Sequence, residues 1–308
     1  MIMQRHPNTA AIQSKGWLLA HKWLLARRFS QLMILALFMI GPWFELWIVK
    51  GNLSSSLTLN TLPLTDPYVL LQSLFAGHSL ESTAITGAAI VIIFYLLVGG
   101  RVYCSWVCPV NMITDFAHWL QQRFSIKAAS SISKNYRYWL LGVTLLLALV
   151  TGNQVWETVN PVSMMHRGLI FGMGMAWIVL SAIFLYDLLI SRRGWCSHLC
   201  PVGAFYSLLG THSPLRVRAD AREQCDDCMD CFVVCPEQQV INPALKGEDK
   251  NIGPVITSAN CTNCGRCIDV CAKNVFHFGL RLNNKIKHNK PKQNINNHTS
   301  HSTGAEAL

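Results

Sequence analysis

The sequence predicts a membrane all-α domain of four transmembrane helices, arranged as two parallel repeats, followed by a small cysteine-rich α+β domain. Three observations predict it. The 308-residue chain is 51% hydrophobic and only 14% charged, against about 25% charged in ordinary globular chains. A pattern containing two cysteines occurs twice, and eight further cysteines fall in two runs of identical spacing.

Four apolar runs supply the predicted spans: residues 32–49 (interrupted by Pro42 and Glu45), 82–98, 138–156 (most apolar over 140–150) and 169–190. About 20 apolar residues cross a bilayer as a helix, and helix is required because lipid leaves open backbone groups unsatisfied. One such run would read as a buried helix of a soluble protein; four in succession do not. Residues 68–75 are apolar but too short to span. They are expected to lie flat on the outer surface, to dip in, or to form a packed loop.

Charge sets the orientation. The first 28 residues carry Arg5, Lys15, Lys22, Arg27 and Arg28 and no acid. The second inner segment carries Arg101, Arg123, Lys127, Lys134 and Arg137, and the third begins with Arg192, Arg193, Arg216, Arg218 and Arg222. The outer loops carry only Lys50 and Arg167. The positive-inside rule then puts both termini in the cytoplasm. The net charge of +10 is read as a basic cytoplasmic face, with no nucleic-acid partner. The long basic leader and long first apolar run argue against a cleaved signal peptide. The predicted domains are residues 1–28 (N-terminal segment), 29–215 (membrane), 216–280 (cysteine-rich) and 281–308 (polar, disordered tail). The tail histidines His288, His298 and His301 are read as solvated.

Arg101-Val-Tyr-Cys-Ser-Trp-Val-Cys-Pro-Val110 matches Arg193-Gly-Trp-Cys-Ser-His-Leu-Cys-Pro-Val202 as R-x-[YW]-C-S-x-x-C-P-V. Each copy follows an even-numbered span, which implies two units related by an axis along the membrane normal. Cysteines four apart on a helix share a face, and the proline suits a new helix start. Cys104, Cys108, Cys196 and Cys200 are therefore expected to gather on the cytoplasmic rim as a ligand set or redox thiols. The alternative is four small buried hydrophobes.

Cys225, Cys228, Cys231 and Cys235, then Cys261, Cys264, Cys267 and Cys271, each follow C-x2-C-x2-C-x3-C. This is the spacing of a bacterial two-cluster ferredoxin-like domain. Three closely spaced thiolates wrap one cubane, while the fourth leads away to the other. Cys225, Cys228, Cys231 and Cys271 would hold one [4Fe–4S] cluster; Cys261, Cys264, Cys267 and Cys235 the other. Gly265 suits a tight turn, Pro236 fits the pattern, and Ala272 stands where a second proline is usual. Paired zinc ribbons would use C-x2-C knuckles instead.

Spans, two C-x-x-x-C-P motifs and a double ferredoxin motif together resemble the NapH-type membrane ferredoxins over residues 25–280. The resemblance implies an iron–sulfur quinol dehydrogenase subunit of the bacterial inner membrane. It implies electrons passing from membrane quinol, partly through an exported ferredoxin-like subunit, toward a multihaem cytochrome c and a periplasmic reductase. Related proteins serving nitrous oxide reduction or oxidase assembly carry extra domains. Only a short polar stretch follows the last motif here, so nitrate reductase is the expected recipient. The other readings are a factor for assembly or reductive maintenance of a respiratory metalloenzyme, and an ion-moving redox protein, which few intramembrane charges support. Quinol oxidation needs a proton acceptor. Glu45, Glu157 and His166 are the outer candidates, and Asp115, His118 and Asp187 the inner ones.

Overall fold

The computed structural model describes residues 8–126, 133–172 and 174–281. Arg5, Lys127 and the tail with His288, His298 and His301 lie outside the described residues. Short helices α1 (Thr9–Lys15) and α2 (Trp17–Ala20) lead into α3 (Lys22–Phe44). Among the described residues α3 is the one helix long and apolar enough to cross a membrane. It runs through Pro42 and ends at the exposed Glu45, whose φ is 59°.

A three-stranded antiparallel meander follows: β1 (Val49–Gly51), β2 (Ser55–Thr58) and β3 (Leu62–Thr65). Asp66 then caps α4 (Pro67–Phe75), accepting the Tyr68 N–H at 3.0 Å. Pro67 at the first helical position costs no hydrogen bond there. This is the apolar stretch expected on the surface, dipping in, or as a loop. It is a helix packed against the helices that hold Thr144 and Trp156: Tyr68 is fully buried, its hydroxyl meets Thr144 at 2.7 Å, and Gln72 accepts the Trp156 N–H at 3.2 Å.

Next come α5 (Ser82–Val98), α6 (Val102–Trp106), α7 (Val110–Arg123), α8 (Tyr136–Thr151), α9 (Val155–Val159), α10 (Pro161–Phe171) and α11 (Ala176–Leu185). A π-turn (Tyr186–Ile190) extends α11, and another (Trp195–Leu199) precedes α12 (Pro201–Leu209). A Cβ on Gly100 would stand 1.7 Å from the Tyr206 carbonyl oxygen, so glycine alone permits the α5–α6 turn to lie against α12.

Of the four expected spans, one has full length among the described residues. The last three apolar helices are Ser82–Val98, Tyr136–Thr151 and Ala176–Ile190, all shorter than 18 residues. At 1.5 Å per residue they reach roughly 22–26 Å, against a hydrocarbon core of about 30 Å. The 169–190 run is divided because Gly172, at φ 101°, ends α10 within it. The 138–156 run stops at Gly152, a left-handed cap at φ 65°. Large apolar side chains on the short helices nonetheless point outward, with Leu97 57%, Leu146 58% and Ile178 62% exposed.

The C-terminal unit is closed by β4 (Leu215–Arg218) and β5 (His277–Leu280), antiparallel with Leu215 opposite Leu280. Between them lie α13 (Asp230–Val234), α14 (Ile241–Lys246) and α15 (Arg266–Val270), around Val217, Ile241, Ile256, Val275 and Phe276. Asp269 accepts the N–H groups of Trp23 and Leu24 at 3.1 and 2.9 Å. Asn263 donates to the Val98 carbonyl at 3.0 Å, and Arg137 donates to Asn260 at 2.5 Å. The start of α3, the end of α5 and the start of α8 therefore meet this unit.

Candidate metal centres

The two ferredoxin motifs share one backbone form. Asp227 and Met229 in the first, and Asn263 and Gly265 in the second, all have positive φ, from 46° to 73°. Left-handed turns of this kind turn backbone N–H groups toward a shared anion. Gly265 was singled out from the sequence; Met229 takes the same conformation without being glycine. At Gly265 a Cβ would also strike Trp23, at 2.6 Å.

Cys225, Cys228, Cys231 and Cys271 line one cavity together with Phe232, Leu245 and Val275. Burial pushes the Cys231 thiol up to about 12, with Cys228, Cys271 and Cys225 adding to it. Burial raises Cys235 too, and its neighbouring thiols are Cys264 and Cys261. Cys267 is raised by burial and then by Cys264, Cys235 and Cys261. The grouping is crossed, with the last cysteine of each motif beside the first three of the other.

All twelve cysteines are free. Among the described residues no three potential ligands close around a single-ion point; a cubane presents its irons at the corners of a wider core. Thiols buried this way ionise when a metal replaces the proton. The residues present fit [4Fe–4S] clusters, whose chemistry is one-electron transfer.

Cys104, Cys108, Cys196 and Cys200 line a second cavity with Tyr103, Trp156, Asn160 and Asp66. They come together, but not on one helical face. Cys104 lies in α6 and Cys108 beyond its end; Cys196 lies in a π-turn and Cys200 caps α12. The thiols line this cavity opposite Asp66, Trp156 and Asn160, from the segments before α4 and around α9. Burial pushes all four up, Cys200 to about 12. The prolines do start helices, Pro109 as the cap of α7 and Pro201 as the first residue of α12.

Helix α6 also meets the second ferredoxin loop. Ser105 Oγ donates to the Thr262 carbonyl at 2.8 Å, and Trp106 Nε1 to the Asn263 carbonyl at 3.1 Å. These residues stand between Cys104 and Cys108 on one side and Cys261 and Cys264 on the other.

The repeat arginines have a different task, which the sequence did not disclose. Arg101 pairs with Glu237 at 2.7 Å, as does Lys134, with Arg137 at 3.4 Å. Burial works to raise the Glu237 pKa, but Arg101 and Lys134 overcome it and hold the carboxyl at about 2. Arg193 reaches Asp115 at 3.4 Å, beside Arg28 at 2.5 Å, Arg266 at 2.6 Å and Arg27 at 3.8 Å. Each repeat arginine thus belongs to a buried carboxylate cluster binding the ferredoxin unit to the helices.

The expected proton acceptors fare unequally. Asp115 is held well below the usual carboxylate range: burial opposes this, and Arg266, Arg193, Arg27 and Arg28 outweigh it. A carboxylate so saturated is a structural anion and a poor base. His118 is buried, its Nε2 3.1 Å from the Gln122 amide nitrogen. Burial and then Arg193 push its pKa down to about 3, so it stays neutral. Asp187 is fully buried and accepts the Trp195 N–H at 2.8 Å. Glu157 accepts from Ser163 at 2.7 Å and from Asn160 at 3.3 Å. His166 is buried edge-on to Phe38, with centroids 5.7 Å apart.

Comparison with known proteins accords with this arrangement. A family model described as a 4Fe-4S binding domain matches twice, over residues 83–127 and 173–218, once on each copy of the repeat. One described as a 4Fe-4S dicluster domain matches residues 224–275. No solved structure matches. The chain is 45% identical over 284 residues to the ferredoxin-type protein NapH of Escherichia coli, covering 92% of this chain and 98% of that one. It is 54% identical over 272 residues to the methylamine utilization ferredoxin-type protein MauN of Paracoccus denitrificans, covering 88% and 95%. MauN of Methylorubrum extorquens is 49% identical over 270 residues, covering 88% and 93%. Identity of this order over nearly the whole of both partners means that the chain belongs to the NapH-type family of ferredoxin-type iron–sulfur electron-transfer proteins.

Proposed function

We propose that this protein is an inner-membrane, multi-pass subunit that takes electrons from quinol and passes them toward a periplasmic reductase. In this reading the two [4Fe–4S] clusters are held in the crossed sets, and both termini and the clusters lie on the cytoplasmic side. The observation that carries it is the bonded contact between Ser105 and Trp106 of α6, which lie between Cys104 and Cys108 in the chain, and the Cys261–Cys264 loop. It ties a thiol site among apolar helices to a cluster-binding loop. Outward apolar faces on the short helices support a lipid surrounding.

Nitrate reductase is the recipient that the NapH relative's system suggests, with an exported ferredoxin-like subunit and a multihaem cytochrome c between. The higher identity to MauN favours a second reading, in which the same electron-transfer role serves methylamine utilization.

The test is EPR of purified protein titrated anaerobically with decylubiquinol. Quinol-dependent cluster reduction at turnover rates supports the proposal. Reduction by dithionite alone would favour an assembly or reductive-maintenance role. The four cavity thiols enter the same assay. Serine at Cys104, Cys108, Cys196 or Cys200 is expected to abolish quinol-dependent reduction while dithionite still reduces both ferredoxin clusters. A lost metal centre would mark the thiols as ligands, and an unchanged metal content as redox thiols. Full quinol-dependent reduction in the quadruple serine variant would leave them as packing residues.

A further inference from the structure

A cavity of about 450 Å³ lies between α3 and α5, beneath the β1–β3 meander. Its walls are apolar over most of their extent, with Leu37 and Phe38 from α3, Ile90 and Phe94 from α5, and Leu53 and Leu64 from the meander. Volumes of this size take small organic ligands, and an apolar lining with a few convergent polar groups is typical of such sites. Asp66, Tyr95, Tyr103 and Tyr206 cluster in its lining, apart from the hydroxyls of Ser56, Thr58 and Thr65 on the meander strands. Tyr103 and Tyr206 are stacked at 4.9 Å, and Tyr95 meets Tyr206 edge-on at 5.0 Å.

Among the described residues, Asp66 differs from Asp115 and Glu237 in having no ion pair. It is only 8% exposed, and among the described residues no cation stands within ion-pair distance of it. Its Oδ1 accepts from the Tyr68 N–H at 3.0 Å and the Tyr206 hydroxyl at 3.1 Å. Asp115 and Glu237, by contrast, are saturated by guanidinium groups. Asp66 and Tyr103 also line the four-thiol cavity, so they form the partition between the two spaces.

We propose that this cavity binds the ring of a quinol, its apolar tail leaving between α3 and α5, with Asp66 taking a proton from a ring hydroxyl. The inference rests on the quinol reading above and deepens it by naming the site. Oxidation of one quinol to quinone releases two electrons and two protons. One proton passes from a ring oxygen to the Asp66 carboxylate and the other to water. Iron–sulfur clusters held by the ferredoxin cysteines would accept the two electrons one at a time, as the oxidant. The tyrosine rings offer a face for stacking the quinol ring, and the thiol cavity lies on the far side of the partition. Burial raises the Asp66 pKa to about 6, which suits a base that must accept and then release a proton near neutral pH.

The experiment uses full-length protein in lipid nanodiscs with decylubiquinol as donor and dithionite as control. Asn caps a helix as well as Asp does, so Asp66→Asn keeps the start of α4 while removing the base. It is expected to slow quinol-dependent cluster reduction about 100-fold or more, with dithionite reduction unchanged. The wild-type rate should fall as pH drops through about 6, where Asp66 becomes protonated, and the variant should lose that dependence. Ile90→Trp, which fills the cavity, should weaken decylubiquinol binding about tenfold, a loss of ~1.4 kcal/mol. Should both variants reduce at wild-type rates, or a photoreactive quinone label residues elsewhere, this site is wrong and the quinol reading stands. Failure of decylubiquinol to reduce the wild-type clusters overturns both.

Discussion

Replacing Cys235 with Ser is expected to halve the iron content, from about eight to about four atoms per chain. The surviving cluster should be the one on Cys225, Cys228, Cys231 and Cys271. Cys235 follows α13 of the first motif, yet its neighbouring thiols are Cys264 and Cys261 of the second. The helix carries the chain away from the cavity formed by its own motif, and Cys271 makes the reciprocal crossing into that cavity. Iron and sulfide analysis with EPR of single-cluster variants decides it. Loss of the Cys225–Cys228–Cys231 cluster instead would overturn the crossed assignment.

Glu237→Gln should be the most damaging substitution that touches no cysteine. The carboxylate is 1% exposed, and Arg101, Lys134 and Arg137 surround it. Removing one side of a buried charge cluster costs about 3–5 kcal/mol, because the remaining charges lose their counter-ion. A fall in Tm and loosening of the Cys261 loop are expected, since Arg101 also donates to the Asn260 carbonyl at 2.9 Å. The sign of the pH effect follows from the direction of the shift. Glu237 is held at about 2, below its ordinary 4.5. Its stabilisation is therefore complete above about pH 4.5 and fades as pH falls toward 2. The Gln variant should lack that acid-side loss; a wild-type-like profile between pH 4.5 and 2 would remove Glu237 from this role.

The features legible in the sequence were those set by short spacings. Eight cysteines at ferredoxin intervals, and two copies of R-x-[YW]-C-S-x-x-C-P-V, announce themselves without any long-range information. Family models of 4Fe-4S domains match both copies of the repeat and the segment that holds the eight cysteines. Helix lengths were less legible, because apolar composition continues across the breaks at Gly152 and Gly172. The pairing of Asp115 with Arg266 and of Glu237 with Arg101 joins residues more than 130 positions apart, and no local pattern specifies it. Asp66 was missed for a different reason. Asp-Pro before an apolar run is a helix-start signal, but it carries no information on what the acid's side chain meets in the fold.

The two carboxylate clusters have a mechanical consequence. Arg101 and Arg193, one from each repeat, bind Glu237 and the Val234 carbonyl of the ferredoxin unit, while Arg266 of that unit reaches back to Asp115 on α7. The unit is bolted to the helices at two separated points and does not swing on a tether. Spacing between redox centres is then fixed by the fold, like the contacts of a soldered circuit. The pace of such a conductor is set by what diffuses to and from its ends, and solvent viscosity should slow those encounters while leaving internal transfer unchanged.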